Sequence, residues 1–232
     1  MKTMRKIIES LYNLRLLDRP CHTLIYSLQE ALKDCKSVLD IGCGPDSPLR
    51  HCKNIEYSVG IEQFKPYLLE AKKRKTHSKY INKMAQELDF PKKSFDAVIM
   101  TEVLEHFSKE ISRQMLSKAE KWAKKKVVIT VPNGFLAQAG VDDNPLQEHL
   151  SGWTADEFRK RGYRVTGRAG LKCLRKDEQT ESRLHGGDIY NTMRWKPGVF
   201  WYAVSGLSQL FVYFFPELAY GLFCVKKIRG VN

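Results

Sequence analysis

Between residues 37 and 132, short apolar runs alternate with helix-patterned stretches. The runs are 37–41 (SVLDI), 57–61 (YSVGI), 80–84 (YINKM), 95–100 (FDAVIM) and 127–132 (VVITVP). Near-continuous apolar runs of this length belong to strands buried on both faces, the condition found in parallel sheets. Parallel neighbours need crossover connections, and the helical stretches 65–75 and 108–125 supply them. A further helix is announced over 154–161 by Thr154 with Glu157 three residues later, a capping-box spacing. Strand candidates at 163–169 and 218–225 (LAYGLFCV) bring the total to seven. The pattern predicts an α/β chain built on repeated βαβ units.

The N-terminus reads as two helices, 3–17 and 20–34. Asp18 is the expected N-cap of the second and Pro20 sits in its first turn. Residues 1–35 are expected to form a helical cap and 36–232 the main domain, with an insertion over 171–216. The first fifteen residues have no apolar core before the charges, so a secretory leader is not expected. Six scattered cysteines form no CxxC pair and no zinc-finger spacing, which points to reduced thiols in the cytoplasm and to no metal. The 39 Lys+Arg against 26 Asp+Glu leave a net charge of +13, which favours an acidic partner without choosing one.

The first strand runs straight into Asp40-Ile41-Gly42-Cys43-Gly44-Pro45. Glycines here allow a tight turn and a close ligand approach to main-chain N–H groups. The second strand ends at Glu62, a carboxylate suited to two ribose hydroxyls. A pyrophosphate fingerprint would place a third glycine where Ser47 stands, and Asp40 would repel a pyrophosphate. Asp40 instead favours a ligand with an ammonium and a sulfonium, as in S-adenosyl-L-methionine.

VLDIGCGPDSPL with VGIE, AQELDFPKKSFDAVIMTEVLEHF and VVITVPNGF resemble, in order, the motifs of class I S-adenosylmethionine-dependent methyltransferases. The resemblance spans residues 36–170 together with the last strand. It implies a Rossmann-like three-layer sandwich with a mostly parallel seven-stranded sheet. Its last strand is antiparallel, with N-terminal helices and a helical insertion before that strand. It also implies roles. Asp40, Gly42, Cys43 and Gly44 would hold the methionine moiety, and Glu62 the ribose. Ala85 and Gln86 would lie beside the adenine, with Met84 where many relatives carry an acid. Thr101 and Glu102 would line the methyl-donor end. His106 falls on a position where the family often has a structural histidine.

Methyl transfer needs mainly positioning, with a general base only if the acceptor must lose a proton. His149 is the candidate base, and Asn133 a second residue facing the acceptor. The clusters Lys72–Lys75 and Lys124–Lys126 read as solvated helix faces, the latter complementing a helix C-terminus. Without interleaved aromatics they give little support for nucleic acid.

Residues 198–216 (GVFWYAVSGLSQLFVYFFP) carry no charged side chain. A spanning helix there would strand the last strand on the wrong side of a bilayer. The segment is expected to touch a membrane surface or lipid-linked substrate, to form a homodimer interface, or to pack in the core. Tyr202, Ser205, Gln209 and Tyr213 form its polar stripe. The expected activity is methyl transfer to a small-molecule or lipid/glycan-linked acceptor, in the cytoplasm or peripheral to the membrane. The alternatives are an RNA or protein methyltransferase, or a non-catalytic cofactor-binding, membrane-associated protein.

Overall fold

The computed structural model describes residues 17–139, 144–176 and 189–228. Seven strands form one sheet: β1 (Ser37–Ile41), β2 (Tyr57–Ile61), β3 (Lys79–Ile81), β4 (Phe95–Thr101), β5 (Ala123–Pro132), β6 (Arg164–Leu171) and β7 (Ala219–Lys227). Their spatial order is β3-β2-β1-β4-β5-β7-β6, and only β7 runs antiparallel to its neighbours. The order reverses between β1 and β4, the switch point where crevices open in such sheets. All seven expected strands are present, with β3 shorter and β5 longer than the apolar runs indicated.

Helices cover both faces. On one, α1 (Leu24–Leu32) buries Leu28 and Leu32 against Val38, Ala97, Ile99 and Val128. The same face carries α2 (Lys65–Arg74), whose Ala71 carbonyl accepts from the Tyr80 hydroxyl at 2.9 Å, and the other carries α3 (Lys109–Trp122) and the short α4 (Ala155–Lys160). The buried face of α3 presents Met115, Leu116, Ala119 and Trp122 at helical spacing to the larger core. The α4 start has the expected capping box, with Thr154 and Glu157 bonding each other's backbone N–H.

Three expectations need correction. The helix expected over 20–34 begins later: its N-cap is Thr23, and Asp18 instead accepts the Thr23 hydroxyl at 2.9 Å. The helix expected over 3–17 lies outside the described residues. Lys124–Lys126 do not end a helix but open β5, since the chain turns extended at Ala123. Lys126 is buried, donates to the Ala31 carbonyl at 2.7 Å and pairs with Asp34, while Lys125 donates to the Asp34 carbonyl at 2.6 Å. These lysines tie the start of β5 to the end of α1.

The apolar segment forms α5 (Gly198–Val212), and no described helix is long and apolar enough to cross a membrane. The polar stripe of α5 faces inward rather than outward. β6 is an edge strand, so its outer backbone groups lack a strand partner. Gln209 supplies one: its amide donates to the Gly167 carbonyl at 3.0 Å and accepts from the Gly170 N–H at 3.1 Å. Ser208 accepts from the Leu171 N–H at 2.9 Å. The helix lies so close that a Cβ on Gly170 would stand 2.3 Å from the Ser205 carbonyl oxygen. Ser205 and Gln209 are thereby buried, while Phe200, Leu207, Leu210 and Phe211 point outward. Residues 177–188 of the insertion, with Gly186 and Gly187, lie outside the described residues.

Candidate functional site

A cavity of about 370 Å³ opens at the carboxyl ends of β1, β2 and β4. That volume lies in the range of small-molecule sites. Gly42, Cys43, Gly44, Glu62, Ala85, Thr101 and Glu102, all expected site residues, line it.

The turn after β1 is built for close approach. Gly42 has φ +67°, and a Cβ there would stand 2.6 Å from Val103 Cγ2. The Cys43 N–H donates to the Ile61 carbonyl at 2.9 Å, and the Gly44 N–H to Glu62 Oε2 at 3.1 Å. These two amides therefore fasten the turn to β2 rather than waiting free for a carboxylate. The other Glu62 oxygen accepts from the Phe64 N–H at 2.8 Å. Two backbone donors thus fix one carboxylate on the cavity wall. Burial raises the Glu62 carboxyl above its ordinary value, against the lowering effect of these hydrogen bonds. Burial pushes the Cys43 thiol strongly up, with Asp40 and Glu62 adding, so it is no nucleophile.

Asp40 does not reach the cavity. Its side chain is fully buried, with Oδ2 accepting from the Ser47 hydroxyl at 2.5 Å and lying 2.9 Å from His77 Nε2. The carboxylate pins the far limb of the turn, where Ser47 also accepts from the Leu49 N–H at 3.1 Å. Gln86 likewise stands outside the cavity lining, and its carbonyl accepts from Lys118 Nζ at 2.7 Å.

The two acceptor-side candidates fare differently from expectation. Asn133 donates its amide to the carbonyls of Pro216, Glu217 and Ala219, so it moors the end of β5 to the α5–β7 connection. His149 does not line the cavity. It is buried, with Nδ1 2.7 Å from the Leu136 carbonyl, and its ring packs edge-on against His106, 4.9 Å between centroids. His106 does line the cavity. Burial, helped by His149, lowers the His106 imidazole to about 4, and burial also lowers His149. A contact of His149 with the acceptor would therefore run through or past His106.

Glu102 has φ +54° and pairs with Arg168 from β6. The cavity also uses residues that sequence reasoning did not single out. Gln63 directly follows the recognised end of β2, a signal that was readable, while Lys83 lies inside the run read as the third strand and is freed because β3 stops at Ile81. Leu24, Asn144, Leu146 and Gln147 arrive from α1 and from the loop after β5, and no local pattern marks them.

Residues 39–131 match the family model described as a methyltransferase domain. Solved structures share the fold. A chain of the complex between the Haloferax volcanii Trm112 methyltransferase activator and a methyltransferase aligns with TM-score 0.53 at 15% identity, covering 93% of this chain and 92% of that one. The plantazolicin methyltransferase BpumL in complex with SAH gives TM-score 0.51 at 16% identity over 97% and 90%. Magnesium protoporphyrin IX methyltransferase from Synechocystis PCC 6803 with bound SAH gives 0.51 at 13% over 89% and 82%. No curated protein matches the sequence.

Proposed function

We propose that this chain is a class I S-adenosylmethionine-dependent methyltransferase that acts on a small-molecule or lipid/glycan-linked acceptor at a membrane surface, a reading supported by the methyltransferase-domain match over residues 39–131. The cofactor half of this reading rests on Glu62. A single carboxylate held by two main-chain donors, facing a cavity of small-molecule size, fits a ribose diol. Gly42, Cys43 and Gly44 cradle the methionine end, Ala85 flanks the adenine, and Thr101 and Glu102 border the methyl group. Asp40 acts through the turn it anchors. The bound cofactor supplies an activated sulfonium methyl, leaving the protein to position and desolvate.

The acceptor half rests on α5. Its outer face exposes Leu207 (69%), and beyond its end Phe214 (71%) continues that face. Monomeric proteins seldom leave such side chains grouped in water without a partner. Trp195 is exposed beside Arg194 and Lys196, an aromatic and basic fringe suited to a headgroup boundary. Tyr213, at the α5 end, stacks on His22 with centroids 3.8 Å apart, two residues from the cavity-lining Leu24. The end of α5 thus touches the segment that leads into the cavity-lining start of α1. Residues 1–35 serve as a cap in this reading, and the location is cytoplasmic and peripheral to the membrane. Structural use of Lys125 and Lys126 takes part of one basic cluster away from an RNA substrate.

Calorimetric titration with S-adenosylmethionine and, separately, NAD tests the cofactor. Binding of S-adenosylmethionine alone is expected. Glu62→Ala should cost about 1.5–3 kcal/mol of affinity, roughly ten- to a hundredfold. Unchanged affinity would show the ribose assignment to be wrong. Methyl transfer into lipid extracts but not into RNA would support the acceptor class, and the reverse result would sink it.

A further inference from the structure

Behind the cavity wall, the segment after β4 and the loop after β5 meet. The Glu105 carbonyl accepts from both the Leu150 and Ser151 N–H groups, at 2.8 and 3.0 Å. That clamp carries His149 onto His106. Glu105, His106 and His149 each offer a ligand atom, and these atoms all lie within 4.8 Å of one another. The geometry points to a divalent transition-metal site formed by Glu105, His106 and His149, opening on the cavity through His106.

Three observations carry this. First, Glu105 is 1% exposed, yet neither carboxylate oxygen receives a hydrogen bond. Burial and the neighbouring Glu102 push the Glu105 carboxyl well above its ordinary value, and a bound cation would take the place of its proton and satisfy the carboxylate. Second, both imidazoles have Nδ1 against a backbone carbonyl, His149 on Leu136 at 2.7 Å and His106 on Glu148 at 3.1 Å. Such bonds place the ring proton on Nδ1 and leave Nε2 as the lone-pair nitrogen, the usual outer-shell arrangement of ligating histidines. Third, two histidines and one carboxylate form a mixed nitrogen and oxygen set. Such a set suits zinc, manganese or iron better than magnesium, and it leaves coordination positions open. Ligands about 2.1 Å from a shared ion lie roughly 3–3.5 Å apart, so closure needs side-chain shifts on the order of 1 Å. Glu102 stands on the same wall with its charge balanced by Arg168.

An oxygen of the acceptor would complete the coordination, and the ion would draw an acceptor hydroxyl toward ionisation. That role rests on the methyltransferase reading; binding of the ion does not.

The full chain, stripped with a chelator, should be titrated calorimetrically with Mn²⁺, Zn²⁺ and Mg²⁺ in the absence of S-adenosylmethionine. One Mn²⁺ or Zn²⁺ per chain is expected, with Mg²⁺ clearly weaker. His149→Ala and Glu105→Gln should each weaken binding by more than about tenfold, while His51→Ala, outside the cluster, leaves it unchanged. Pulsed electron paramagnetic resonance of Mn²⁺ bound to the unaltered chain should show imidazole nitrogen couplings, a readout independent of variant folding. Absence of stoichiometric binding, or bound Mn²⁺ without nitrogen coupling, would overturn the inference. If such a chain still binds S-adenosylmethionine, the methyltransferase reading stands alone. If it binds the ion but not the cofactor, the reverse holds.

Discussion

Helices α3 and α5 both flank the same sheet, yet they are built inside out relative to each other. α3 buries Met115, Leu116, Ala119 and Trp122 and turns Glu110, Arg113 and Lys121 to water. α5 buries Ser205 and Gln209 between Val199 and Val212, and turns Phe200, Leu207, Leu210 and Phe211 outward. The difference follows from what each helix meets. α3 packs on the apolar face of parallel strands, where removal of hydrocarbon from water decides orientation. α5 meets the rim of an edge strand, whose unpaired backbone groups demand hydrogen-bonding side chains. The polar side of α5 is spent on β6, and its apolar side is left for something outside the chain.

The sharpest way to break this comparison is at Trp122. Trp122→Ala should lower stability by about 3–5 kcal/mol in chemical denaturation, because α3 is held by burial. Gln209→Ala should cost less, about 1–3 kcal/mol, by orphaning the Gly167 carbonyl and the Gly170 N–H. Gln209→Met, which keeps the length and loses the hydrogen bonds, should not rescue it; full rescue would mean that α5 is held by burial after all. The double change Leu207→Ser with Phe214→Ser should shift stability by no more than about 0.5 kcal/mol per site. It should nevertheless reduce cosedimentation with anionic vesicles. Retained vesicle binding would remove α5 from the membrane reading.

The smallest effect concerns pH at the cavity. Glu62 has its folded value raised by burial, so the native chain holds this proton more tightly than the unfolded chain. Its contribution to stability is present below the unfolded carboxyl range and is lost as pH rises through the folded value. Glu62→Gln should therefore leave the cofactor-free chain at neutral pH no less stable than the parent, while weakening cofactor binding. Cofactor affinity in the parent should fall on acidification at a higher pH than an exposed glutamate would give. That dependence should be absent in Glu62→Gln.

The part of the cavity wall built by β1 and β2 was legible because its residues are local in sequence or end a strand. Gly42, Cys43, Gly44 and Glu62 follow directly from where β1 and β2 stop. Asp40 was recognised as a special carboxylate, but its direction was misjudged. Side chains alternate along a strand, and only the packed position of His77 shows that Asp40 points into the protein. Asn133 and His149 were singled out with roles that folding reassigns or qualifies. Asn133 meets carbonyls some eighty residues away, a pairing that no spacing rule encodes.

By itself, the sequence determined the seven strands and the glycine turn, and it carried the resemblance to a methyltransferase domain. These depend on periodicity and on residues adjacent in the chain, where local propensity and tertiary packing agree. The tertiary structure alone decided which way α5 faces, that Lys125 and Lys126 hold α1 to β5, and that Glu105, His106 and His149 share one space. Each of these turns on hydrogen bonds and burial between segments distant in sequence. The identity of the residue opposite, rather than the residue's own character, sets its role.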